Sequence, residues 1–134
     1  VVHDGSDREA RQAMLLGSCL AGQAFANAPC AAVHALAYPL GGLFNIAHGV
    51  SNALLLPYVM TWNKMACVER MQDIAEAMGV KTAQLSAAEA ADKAVQAMTD
   101  LCAAVEIPAG LRSFGVPEDA IPAMAVEAAR ECVR

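Results

Sequence analysis

The sequence predicts an all-α fold, a multi-helix bundle, and three observations favour it. Hydrophobic residues make up 57% of the 134-residue chain, whereas aromatic residues make up only 4%. Alanine is abundant and β-branched residues are sparse, which favours close-packed helices over a sheet. Apolar residues recur at spacings of three and four, the period of an amphipathic helix. We expect a single helical domain over residues 1–134.

The first predicted helix is bounded by a capping signal and a proline. Ser6 and Glu9 have the spacing of a capping box, in which each residue bonds the backbone N–H of the other. This spacing predicts a helix from about Asp7 to Asn27. Pro29 would then end it or restart the helical pattern.

Two further helices are predicted on either side of a glycine pair. The second covers about Cys30–Leu40 and would be closed by Gly41-Gly42. The third begins near 46–48 and extends to Trp62. Pro57 falls within it and is expected to kink or break it.

Apolar faces define the last three predicted helices. Gly79 is expected to end the fourth, and Ser86 with Glu89 forms a second capping box before the fifth. The segment Pro108-Ala-Gly110 would break the fifth, and Pro117 or Pro122 would lie in the first turn of the sixth. The apolar faces are Met65, Val68, Met71, Ile74, Ala75 and Met78; then Ala91, Ala94, Val95, Met98, Leu101, Cys102 and Val105; and then Ile121, Met124, Ala125, Ala128 and Cys132.

Charge is distributed very unevenly along the chain. No Asp, Glu, Lys or Arg occurs from Gln12 to Asn63. Prolines and the glycine pair divide this stretch into pieces shorter than the ~20 residues of a membrane span, so we expect no membrane partner. Helices that are buried on nearly all sides explain the charge-free stretch better than a membrane span does. A second domain or subunit would cover part of these helices. The net charge of −5 argues against a nucleic-acid partner.

The cysteines indicate a reduced, cytoplasmic protein, and the chain ends indicate a fragment. The five cysteines are odd in number and form no CxxC pair, and each is expected to be a small buried hydrophobic residue. The polar N-terminal residues do not resemble a signal peptide. Both ends look like those of a fragment. The cysteines lie at positions 19, 30, 67, 102 and 132.

Two histidines stand inside the charge-free stretch. His34 and His48 lie fourteen residues apart, with a Pro-Leu-Gly-Gly turn between them. A helix–turn–helix could bring them together, and neutral imidazole is a good ligand for a first-row divalent metal. On spacing alone, the stronger interpretation is that both are structural histidines that find hydrogen bonds in the core. A metal would require further ligands from outside this helix pair, because no Asp or Glu lies between Glu9 and Glu69.

Three runs of residues resemble the iron-containing (group III) alcohol dehydrogenase family. They are Ala24-Phe-Ala-Asn-Ala-Pro29, Val33-His-Ala-Leu-Ala-Tyr-Pro-Leu-Gly-Gly42 and His48-Gly-Val-Ser-Asn-Ala-Leu-Leu-Leu-Pro57. The resemblance implies a two-domain NAD(P)-dependent oxidoreductase, of which this chain is the helical C-terminal half. It implies that His34 and His48 bind a divalent metal, Fe²⁺ or Zn²⁺. The family's other two ligands, an Asp and a His, and its nucleotide-binding domain would precede this chain.

The resemblance also suggests substrate-binding residues and leaves other functions open. Phe25 matches a position that lines the substrate pocket, and Tyr38 stands where the family often has a further histidine. A phenol titrates near 10, so Tyr38 would not shuttle protons at neutral pH as imidazole does. We expect a homo-oligomer acting on an alcohol or aldehyde, with the fragment inactive alone. The alternatives are a maleylacetate- or glycerol-type reductase of the same superfamily, or a non-enzymatic helical dimerisation module.

Overall fold

The computed structural model describes residues 2–28 and 30–131, and its regular structure is helical throughout. The all-α prediction is confirmed, since these residues contain six α-helices and no strand. Short 3-10 turns cover Lys64–Ala66, Leu111–Phe114 and Glu118–Ala120. The chain divides after residue 31 into two compact units. The helices are α1 (Arg8–Asn27), α2 (Ala32–Phe44), α3 (His48–Asn63), α4 (Val68–Ala77), α5 (Ala87–Ala104) and α6 (Ile121–Glu131).

The first unit contains α1, whose N-terminus is capped differently from the prediction. Asp7 is the cap, and its Oδ1 accepts from the backbone N–H of Ala10 at 2.9 Å. The Ser6 hydroxyl instead donates to the carboxylate of Asp4 at 2.6 Å. The predicted Ser6–Glu9 capping box is therefore wrong, because Asp7 is an equally good cap one residue closer to the helix. Pro29 lies outside the described residues.

Helix α1 also differs from the expectation of burial on nearly all sides. None of its residues is buried, although the helix carries no charged residue after Arg11. Met14, Leu15, Leu16 and Leu20 are each more than half exposed. Within the first unit, burial therefore does not explain the charge-free sequence of this helix.

Helix α2, the first of the second unit, continues past the glycine pair that was expected to end it. It runs through Pro39, Gly41 and Gly42 to Phe44. The residue that leaves the helical conformation is Asn45, with a φ of 54°, and asparagine tolerates this left-handed region. The prediction failed because neither Gly41 nor Gly42 adopts a positive φ here.

The other helix ends follow the sequence signals more closely. Helix α3 continues through Pro57 and is not broken there. Gly79 follows α4 with a φ of 85°, as its predicted role requires. Helix α5 ends at Ala104, before the predicted proline-glycine break, since Glu106 adopts a φ of 63° and its N–H donates to Ala103 O.

Either Pro117 or Pro122 was predicted to lie in the first turn of α6, and the structure distinguishes them. Pro122 lies in its first turn, whereas Pro117 precedes the short turn Glu118–Ala120. Met124 and Ala128 of the predicted apolar face are buried. Cys132, predicted for the same face, lies outside the described residues.

The second unit has two small hydrophobic clusters that join its helices. Helix α2 packs against α3 and α6, α3 also packs against α5, and α5 packs against α4. Alanines allow close approach of α4 and α5, because Ala75, Ala91 and Ala94 are almost completely buried. The first cluster is Met71, Ala75, Ala91, Ala94 and Met98, and the second is Leu40, Ile46, Val116 and Met124.

The cysteines are less buried than predicted. Cys19 and Cys30 are exposed, and Cys67 and Cys102 are only partly buried. All four carry free thiols. The apolar neighbours along the sequence misled the prediction, because several of those neighbours are themselves exposed in this chain.

The capping box of α5 gives a direct test of the two capping predictions. The Ser86 hydroxyl accepts from the N–H of Glu89, and the Glu89 carboxylate accepts from the N–H of Ser86. We expect Ser86→Ala to lower the free energy of unfolding by about 1 kcal/mol in urea denaturation. Ser6→Ala is the matched control, with an expected change within about 0.5 kcal/mol. Equal effects of the two substitutions would contradict this account.

Candidate metal centre

The link between α2 and α3 positions the two histidines of the charge-free stretch. After Asn45 the backbone turns back, and the N–H of Ile46 donates to Leu40 O at 3.3 Å. The side chain of Ile46 is buried in the same cluster as Leu40. The chain therefore returns alongside α2 before α3 begins. This return brings His48, the first residue of α3, back towards the first half of α2, where His34 lies.

Three rings from the two helices meet at this point. The ring centroids of His34 and His48 are 5.2 Å apart, with the planes inclined by 50°. Tyr38, one turn after His34 on α2, lies nearly parallel to the His48 ring at a centroid distance of 6.3 Å. The predicted convergence of the two imidazoles is thus present. Tyr38, predicted at the same site, is there as well.

The site lies at the surface of this chain. His34 is partly buried, whereas His48 is exposed and Tyr38 is 49% exposed. Buried residues stand close in sequence to both histidines: Ala35 and Ala37 on α2, and Ser51 on α3. The exposed rings of His48 and Tyr38 would still leave a bound ligand open to solvent unless another part of the protein covers it.

Asn52 is a member of the site that the sequence analysis did not identify. Its Nδ2 lies 3.0 Å from Nε2 of His48 and also donates to the backbone O of His48 at 3.0 Å. Its Oδ1 is buried without a hydrogen-bond partner, as is Oγ of the preceding Ser51. The available signal was the spacing of four residues from His48, which places both side chains on one face of α3.

The separation of the two imidazole rings suits a divalent cation held between them. With metal–nitrogen distances of about 2.0–2.1 Å and tetrahedral directions, two rings that share one cation have centroids roughly 5 Å apart. The observed 5.2 Å agrees with that geometry. Within 2–28 and 30–131, no group of three or more His, Cys, Asp or Glu side chains could hold a metal. The remaining ligands would have to come from elsewhere, as the sequence predicted.

Phe25, an apolar cavity and the glycine pair are further features that bear on function. Phe25 is on α1 in the first unit, where its side chain is 55% exposed. A mostly apolar cavity of about 240 Å³ lies between α3, α5 and the segment 107–109, and its walls include neither His34 nor His48. Gly41-Gly42 lies inside α2, so it cannot serve as the glycine-rich loop that follows a strand in dinucleotide-binding folds. Among the described helices, none is both long and apolar enough to cross a membrane.

Comparison with known proteins identifies the class to which this fold and site belong. The whole chain, residues 1–134, matches the model of the "Fe-containing alcohol dehydrogenase family, C-terminal". The chain belongs to this family, as its C-terminal part.

Individual relatives agree with this assignment. The chain is 49% identical over 130 residues to long-chain-alcohol dehydrogenase 1 of Geobacillus thermodenitrificans, covering 97% of this chain and 33% of the relative. It is 46% identical over 127 residues to 1,3-propanediol dehydrogenase of Klebsiella pneumoniae, covering 95% and 33%. A crystal structure of 1,3-propanediol oxidoreductase superposes with a TM-score of 0.92 at 47% identity, covering 94% of this chain and 33% of that one. The chain thus spans about a third of the length of these relatives.

Proposed function

We propose that residues 1–134 act as the metal-binding half of an NAD(P)-dependent alcohol dehydrogenase, with His34 and His48 as two ligands of a divalent cation. The observation that carries this proposal is the 5.2 Å separation of the two rings, which suits a shared cation. Fe²⁺ is the cation we favour from the family, and Zn²⁺ would suit the same nitrogen ligands. When bound, the cation would polarise an alcohol or carbonyl oxygen, and the nicotinamide would accept or donate the hydride.

The residues around the histidines support this role. His34 and His48 would bind through ring nitrogens, and the stretch of sequence that contains them has no Lys or Arg to repel a cation. The Tyr38 hydroxyl would donate a hydrogen bond to the substrate oxygen and orient it beside His48. Phe25 would contribute an apolar wall of the substrate pocket. These roles require no acidic or basic side chain of this chain other than the imidazoles.

The substrate that we propose is a small-molecule alcohol or the corresponding aldehyde, of unspecified chain length. The relatives are named for long-chain alcohols and for 1,3-propanediol, so the shared chemistry is the primary alcohol rather than the chain length. The part of the protein outside this chain would bind the nucleotide. It would also contribute the remaining metal ligands. The free thiols of Cys19, Cys30, Cys67 and Cys102 support a reducing, cytoplasmic environment.

A helical dimerisation module is the second candidate, since the charge-free half has exposed apolar side chains. Trp62 is 87% exposed and Leu15 is 74% exposed, and such residues are typical of a surface that another chain covers. An apolar surface that pairs two chains and a bound cation can coexist in a homo-oligomeric enzyme. The two candidates differ in whether the protein binds a cation.

Calorimetric titration of the metal-free full-length protein with Zn²⁺ tests the proposed function. We expect one cation per chain to bind tightly, because two preformed imidazoles and the ligands outside this chain complete a four-ligand site. The sedimentation mass of the same sample reports its oligomeric state. Dimerisation without cation binding would contradict the metal role and favour the dimerisation module.

A further inference from the structure

Asn52 bonds the same imidazole that the proposed function assigns to the cation. Its amide nitrogen is 3.0 Å from Nε2 of His48. An amide NH₂ group can only donate, so Nε2 must be the acceptor of this hydrogen bond. In a neutral ring the proton then lies on Nδ1, and the only free lone pair of the His48 ring points at Asn52.

A metal ligand must use the same lone pair. Nδ1 carries the proton in this arrangement, so a cation that binds this tautomer must bind through Nε2. The amide nitrogen of Asn52 occupies the space in front of that atom. Rotating the amide by 180° would not relieve the conflict, because it would place Oδ1 against the carbonyl oxygen of His48, which now accepts from Nδ2 at 3.0 Å.

We propose that Asn52 is a positioning residue that occupies Nε2 of His48 in the cation-free protein and is displaced when the cation binds. This inference rests on the proposed metal role of His48. Asn52 retains its bond to the backbone of His48 after displacement, so the side chain stays next to the ring. Its Oδ1, buried without a partner, is the second polar atom of the same amide beside the site. Asn52 fixes the tautomer that presents Nε2 and at the same time lowers the affinity for the cation.

The test compares Zn²⁺ affinities of metal-free full-length variants by competition with a chelating dye. We expect Asn52→Ala to bind Zn²⁺ about two- to tenfold more tightly, because the competing hydrogen bond is gone. Thr61→Ala is the control, since Thr61 Oγ1 makes a bond to Pro57 O four residues back on the same helix, far along α3 from any imidazole. The Zn²⁺ affinity of Thr61→Ala should equal that of wild type. Unchanged or weaker binding by Asn52→Ala would overturn the proposal.

The tautomer of His48 gives a measurement that does not depend on bound metal or on activity. In the Zn²⁺-free full-length protein with ¹⁵N-labelled histidine, the nitrogen shifts of His48 should show Nε2 unprotonated and Nδ1 protonated. A protonated Nε2 would overturn the role of Asn52 alone. A Zn²⁺ affinity that is the same in wild type and His48→Ala would overturn the metal role of His48, and with it this inference, whatever the tautomer.

Discussion

Replacing either His34 or His48 with alanine in the full-length protein should abolish most metal binding and activity. Each change removes one of the two proposed nitrogen ligands of this chain, and the ring that remains would not be enough to hold the cation. Changes of residues that merely support a metal ligand cost about 10–100-fold in metal affinity, so loss of a ligand itself should cost more than about 100-fold. Metal content after dialysis, measured by inductively coupled plasma mass spectrometry, reports the first effect and alcohol oxidation with NAD(P) the second.

His3→Ala provides the matched control for these variants. His3 is an exposed residue of the N-terminal segment before α1, and no role is assigned to it. Its metal content and activity should equal those of wild type. Wild-type metal content in His34→Ala or His48→Ala would refute the ligand assignment, because an ion held elsewhere does not depend on these rings.

Truncating the core between α4 and α5 should have the largest effect on stability. Met71 is fully buried in the cluster with Ala75, Ala91, Ala94 and Met98. Met71→Ala should lower the free energy of unfolding by about 2–5 kcal/mol, since the small alanines of α5 cannot move in to fill the space. The midpoint of urea denaturation measures the loss, with the slope of the transition expected to stay unchanged.

Met65→Ala is the control of the same residue type. Met65 is 70% exposed in the short turn after α3, although it belongs to the same predicted apolar face. Its truncation should change stability by less than about 0.5 kcal/mol. Similar losses for the two methionines would mean that Met65 is covered in the folded protein by another domain or chain.

The pKa of Glu89 adds a pH dependence to the capping box. Hydrogen bonds from the side chain and the backbone of Ser86 lower the pKa of the Glu89 carboxyl below its ordinary value of 4.5. The ionised form is therefore favoured by folding, and its stabilising effect is present above the ordinary value. It is lost as the pH falls through the lowered pKa, so the difference between wild type and Ser86→Ala should shrink in acid.

Helix ends were predictable where a single nearby residue could form the capping hydrogen bond or adopt the left-handed backbone conformation. Ser86 has no rival cap next to it, and Gly79 is the one glycine next to the end of α4, where it adopts a positive φ without strain. Before α1, by contrast, Ser6 and Asp7 are adjacent and equally suitable as N-caps. The Ser6–Glu9 spacing favoured Ser6, whereas Asp7 is the cap in the structure. At the end of α2 the pattern favoured the glycine pair, whereas Asn45 makes the left-handed turn three residues later.

The candidate site shows a similar division. The two histidines were apparent because imidazoles are rare in a charge-free stretch, and a hairpin is the simplest way to join them. Asn52 was not apparent, since an asparagine four residues after a histidine on a helix is ordinary until the hydrogen bond is seen. The exposure of His48 and of the cysteines was also beyond prediction, because apolar neighbours along the sequence do not show which faces the fold leaves open.

The short return of the backbone after Asn45 makes the distance between the histidines sensitive to chain length. Only three residues separate α2 from α3, and the hydrogen bond from Ile46 to Leu40 fixes how far they reach. One inserted residue would add roughly 3.3 Å of extended backbone, whereas metal–ligand distances tolerate only about 0.2 Å. We therefore expect an insertion or a deletion in this link to weaken the proposed cation site.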